Sequence, residues 1–130
     1  MEFDELRRAY AAFNERDEDA LIALAHPDIE IHPLVASVTS TAPWTGHDGL
    51  RRLVADTSRR WHRFELRCDD QMAFGDRTVA FVHVTTAADA EAPVIEGDVA
   101  HLLELEDGLL RRFTAFRDRA DAIAAAEAPA

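Results

Sequence analysis

A chain of 130 residues and 14.5 kDa is expected to fold as one domain, spanning 1–130, with no length for a second. Its 48% hydrophobic and 30% charged residues are ordinary for a globular domain that buries about two-thirds of its unfolded surface without disulfide or metal staples. Twenty-five acidic against 14 basic residues leave a net charge of −11, which argues against a nucleic-acid binder, since such binding depends on surplus cations.

Phe3, Leu6, Tyr10 and Phe13 recur at three- and four-residue steps, the apolar stripe of an amphipathic helix, with Asp4 and Arg8 paired on its wet side. Asp17 caps a second, short helix carrying Leu21, Ile22 and Leu24, and His26-Pro27-Asp28 stops it. Ile29 to His32 alternates like a short strand ended by Pro33. From Leu34 to Gly46 no period is visible, the pattern of a lid or pocket rim, with Trp44 near its end. A third helix follows, with Leu50, Leu53, Val54 and Trp61 on one side.

After Trp61 the period becomes two. Phe64, Leu66 and Cys68 alternate with polar residues, and Gly75-Asp76 makes a turn. Arg77 to Thr86 is a strand apolar on both faces, Val79 and Phe81 on one, Ala80, Val82 and Val84 on the other. Val94 to Glu106 and Leu109 to Arg117 form the last two strands around an Asp107-Gly108 hairpin turn. The Ala-rich tail, 119–130, reads as a frayed helix or a disordered segment. Three helices carrying one short strand, then a four-strand antiparallel meander, define an α+β fold with helices on one face of a curved sheet. The doubly apolar strand needs its outer face covered, which predicts a homodimer through that face.

All 14 basic residues are Arg. Without Lys there is no Schiff-base or pyridoxal-phosphate anchor and no phosphate-loop lysine. The lone Cys68 excludes an intrachain disulfide, a Cys-rich zinc site and a dithiol motif, and its alternating neighbours make it a small core residue. No apolar run approaches the ~18 residues of a membrane span, so no membrane partner is expected and a reducing cytoplasm is the expected location.

Arg8 to Asn14 followed by Asp17, Leu21 to Leu24, and His26-Pro27-Asp28-Ile29-Glu30 together resemble the opening of nuclear transport factor 2-like domains. Trp44-Thr45-Gly46 and Glu106-Asp107-Gly108-Leu109 extend the resemblance, which runs from about Phe3 to Asp118. That superfamily includes SnoaL-like polyketide cyclases, ketosteroid isomerases, scytalone dehydratases and limonene-epoxide hydrolases, beside non-enzymatic ligand-binding and dimerising domains. It implies a cone whose sheet curls around the helices and leaves a pocket at the mouth. Fold does not fix function here.

On the long strand Val99, His101, Leu103 and Leu105 share a face, which must be the interior one. The resemblance places Val79, Phe81, His83 and Thr85 inside as well, and His32 at the inner end of the first strand. His32 then stands where ketosteroid isomerases carry an Asp general base, and His101 where they carry the protonated Asp that donates to the oxyanion. Their oxyanion Tyr aligns with Ala9, and Tyr10 lies one position along.

His32 as base, His101 as donor and His83 nearby predict cofactor-independent acid–base catalysis on a hydrophobic, oxygenated substrate: isomerisation, cyclisation or dehydration. The pocket wall is expected to include Tyr10, Phe13, Trp44, Leu53, Trp61, Phe81, Val99, Phe113 and Arg117, the last meeting an anionic group or simply solvated. Passive ligand binding by the same fold is the competing reading. Three imidazoles could also hold zinc, but their spacing forms no ligand motif, so neither metal nor cofactor is expected.

Overall fold

The computed structural model describes residues 1–34 and 44–129; the expected lid between Leu34 and Trp44 lies outside them. Among the described residues, the order is α1 (Phe3–Asn14), α2 (Glu18–Leu24), β1 (Ala25–His32), β2 (Trp44–Thr45), α3 (Gly46–Arg60), β3 (Arg63–Phe74), β4 (Arg77–Ala87), β5 (Ile95–Glu106), β6 (Leu109–Phe116) and α4 (Arg119–Glu127). Asp17 caps α2 as expected, accepting from the Ala20 amide at 3.2 Å. The His26-Pro27-Asp28 stop, however, already belongs to β1. Asp107 and Gly108 adopt the left-handed conformations (φ 54° and 78°) that a tight β5–β6 hairpin requires. No helix among the described residues is long and apolar enough to cross a membrane.

The strands form one sheet in the order β2-β1-β6-β5-β4-β3. The expected meander β3–β6 is present, and β1 extends it by pairing parallel with β6, while β2 closes that edge antiparallel to β1. α1 packs Leu6 and Tyr10 onto Phe64, Leu66, Cys68, Ala80, Val82 and Leu103 of the concave face. α3 packs Leu50 against Ile29, Ile31 and Trp44. The Asn14 side chain locks α1 to β3, donating to the Leu66 carbonyl at 2.8 Å and accepting from the Leu66 amide at 2.9 Å.

One expectation changes at the convex face. The tail does not fray but forms α4, whose Ala122 and Ala126 are buried against Val79, Phe81, Ala100 and Leu102. Asp118 caps α4 through the Ala120 amide, Arg119 lies over the Phe81 ring at 4.5 Å, and Arg77 donates to the Ala126 carbonyl at the helix end. Helices therefore lie on both faces of the sheet. The doubly apolar β4 thus has cover from α4 within the chain.

Candidate functional site

Between the helices and the concave face of the sheet lies a cavity of about 400 Å³, walled mainly by apolar side chains. The ends of β1, β4 and β6 and the start of β5 meet at one side of it, where Ile95, Glu96 and Arg117 are exposed. That side is open. Away from it, His101 on β5 is only 5% exposed and its Nδ1 stands 2.6 Å from the hydroxyl of Tyr10 on α1, itself 6% exposed. The two rings stack at 5.6 Å between centroids, and Phe113 of β6 closes on the imidazole at 4.5 Å.

Burial sets the charge state of this pair. It lowers His101 from 6.5 to about 3, because an imidazolium would sit in an apolar cup without a counter-ion. Burial, and secondarily the nearby Cys68 thiol, raises Tyr10 well above its usual 10.0. Both groups are therefore neutral near pH 7. The phenol is the stronger acid and the imidazole nitrogen the stronger acceptor, so the O–H donates to Nδ1 and the ring proton sits on Nε2. The pair thus offers an uncharged N–H donor to a ligand in a largely apolar cavity.

The three histidines do not converge. His32 is turned away from the cavity, 36% exposed, with Nε2 3.8 Å from Glu30 on the opposite face of β1. The alternation that buries Ile29 and Ile31 itself sends His32 outward. His83 lies on the convex face, with Nδ1 3.1 Å from Asp98 and Nε2 3.1 Å from Glu96. Those carboxylates raise its pKa above 6.5, Glu96 contributing most. The cause is register: Ala80 pairs with His101 and Val82 with Val99, so even-numbered β4 residues face inward wherever His101 does. Phe81 is accordingly under α4, not on the cavity wall.

Trp44 also leaves the cavity. It is buried at 6% exposure among Ile29, Ile31 and Leu50, beneath the Arg52 guanidinium. Tyr10, Phe13, Leu53, Trp61, Val99, His101, Phe113 and Arg117 do line the cavity. Leu105 follows a register shift after Glu104 and is not among the lining residues. Sequence reasoning missed the bond between Tyr10 and His101, and missed Thr57, Thr86 and Glu96 on the lining. Tyr10 gave a signal: it shares a helical face with Leu6 and Phe13, so its hydroxyl enters the core and needs a partner there. Among the described residues no three His, Cys, Asp or Glu side chains converge to hold a metal ion.

The family model for the SnoaL-like domain matches residues 6–113. No curated protein sequence matches significantly. Among solved structures, the chain is similar to a nuclear transport factor 2-like protein of unknown function from Burkholderia pseudomallei, at 22% identity and TM-score 0.76 over 95% of both chains. It is similar to TerC co-crystallised with polyporic acid, at 23% identity and TM-score 0.74 over 92% of this chain and 93% of that one. A protein with a ketosteroid isomerase-like fold from Catenulispora acidiphila, in complex with trimethylamine, matches at 15% identity and TM-score 0.73, over 92% of this chain and 89% of that one.

Proposed function

The chain belongs to the SnoaL-like domain family, and we propose that it is a small-molecule enzyme working without a cofactor, with the Tyr10–His101 pair as its electrophilic centre. The observation that carries this reading is one neutral hydrogen-bonded pair, 2.6 Å apart, on a mainly apolar cavity wall. A hydrophobic, oxygenated substrate fills the cup and sets a carbonyl oxygen against Nε2 of His101. Enolisation, with the α-proton passing to solvent water or hydroxide from the open side, or the aldol-type ring closure that follows it, builds negative charge on that oxygen, and the preorganised neutral donor stabilises it. Tyr10 is a positioning residue: by holding Nδ1 it keeps the ring proton on Nε2. Co-crystallisation of TerC with polyporic acid supports the choice of an aromatic, oxygen-rich ligand.

Glu96 is the one carboxylate among the described lining residues, and it stands at the open side. His83 Nε2, 3.1 Å away, holds its carboxylate on the convex face, so Glu96 is not a base for a substrate inside the cavity. This favours a second reading, binding without turnover, because the deep end of the cavity pairs its donor with no base among the described residues. Deuterium exchange at the α-carbon of 2-tetralone, followed by proton NMR, separates the two. Catalysis predicts exchange faster than in buffer, reduced by about 10²-fold or more in His101→Phe and less severely in Tyr10→Phe. Exchange at the buffer rate, with tetralone still bound, would leave only the binding role.

A further inference from the structure

We propose that Arg117 is the anion-recognition residue of this cavity, so that the natural ligand carries a carboxylate at the end opposite the oxygen that meets His101. The inference rests on the cavity being the ligand site, as proposed above, and adds the ligand's chemical class. Ala115 of β6 pairs with His101, and Arg117, just past the end of β6, also lines the cavity. Among the described residues it has no ion pair, hydrogen bond or ring contact. The neighbouring β6 cations differ: Arg111 is held by Glu30 and Glu106, Arg112 by Glu30 and Glu104. In a chain of net charge −11, this guanidinium on the lining of an apolar cup is available to an anionic ligand.

The rival charge at the same rim is already engaged. Glu96 lies 3.1 Å from His83 Nε2 and accepts from the Thr85 hydroxyl at 3.5 Å, both on the convex face. The cavity is thus polarised along its length, with a neutral donor pair inside, apolar walls between, and a guanidinium with fork geometry for a carboxylate at the exit. A ligand with an apolar body, an uncharged carbonyl or hydroxyl at one end and a carboxylate at the other matches each part. A neutral ligand would leave Arg117 without a role in binding.

The probes are 6-hydroxy-2-naphthoate and 2-naphthol, which share the ring system and hydroxyl and differ in the carboxylate. Affinities come from calorimetry at low salt, and the His101 ring proton shift reports whether each probe enters the cavity. The naphthoate is expected to bind about tenfold tighter than the naphthol to the native chain. Arg117→Gln should erase that difference by weakening the naphthoate alone, and Arg117→Lys should restore part of it. If Arg117→Gln binds the naphthoate as the native chain does while His101 still shifts, the Arg117 assignment is overturned and the cavity reading survives. If neither probe shifts His101 in the native chain, the cavity reading is overturned and this inference goes with it.

Discussion

At the scale of single residues, the structure separates histidines that the sequence makes look alike. His101 and His83 differ by which face of adjacent strands they occupy, and their titrations should diverge for that reason. His101, desolvated to about 3, is expected to show no titration between pH 5 and 8, whereas His83, held by Glu96 and Asp98, should titrate with a midpoint above 6.5. Histidine ring NMR with single substitutions as assignments checks both; a His101 midpoint near 6.5 would mean a wet cavity. Gly49 on α3 tests packing at the same scale. A Cβ there would stand 2.8 Å from the Trp44 carbonyl carbon. Gly49→Ala should therefore cost about 1–3 kcal/mol by overpacking, despite the roughly 1 kcal/mol that Ala gains over Gly in helix propensity, as urea denaturation would show.

At the scale of elements, α4 is the part whose consequence was least visible beforehand. An Ala-rich stretch lacks a broad apolar stripe, and only the small size of Ala122 and Ala126 lets the helix lie close on Val79, Phe81, Ala100 and Leu102. Ala122 is 0% exposed, so Ala122→Asp should cost about 3–5 kcal/mol, the penalty for an unpaired buried charge. Deleting residues 119–130 should uncover the convex face and make the shortened chain self-associate, as measured by sedimentation velocity. A truncated chain that stays monomeric with unchanged stability would show that α4 does not provide the cover. The β4 strand gives the complementary lesson. Both its faces are apolar, so periodicity cannot choose between them, and the pairing of Val82 with Val99 makes the choice.

For the whole molecule, the buried neutral His101 links stability to pH. Its folded pKa lies below the unfolded 6.5, so the unfolded chain binds the proton first. Its contribution is complete above pH 6.5 and falls as pH drops toward 3, by roughly 1.4 kcal/mol per pH unit across that window. His83 works in the opposite sense. Its raised pKa gives a contribution that is full below 6.5 and lost as pH rises through the folded value. Thermal melts from pH 7 to pH 4 should show a steep acid-side loss that His101→Phe flattens; an unchanged profile in that variant would mean the loss belongs to other groups.

Local pattern by itself determined the first three helices, β1 and the four-strand meander, the tight hairpin turn and the α+β class, because amphipathic periods of 3.6 and 2 and turn residues are short-range properties of the chain. It also determined that Leu6, Tyr10 and Phe13 point inward, and the Ile29/Ile31 alternation sends His32 outward, against the inward placement that the family resemblance implied. Three things were decided only by tertiary structure. The register of β4 on β5 put His83 outside, the docking of α1 on the sheet brought Tyr10 to His101 across 91 residues, and α4 covered the convex face. Each depends on how one element seats on another. Where both faces of a strand are apolar, composition leaves that seating open, and only packing and backbone pairing of the assembled sheet close it.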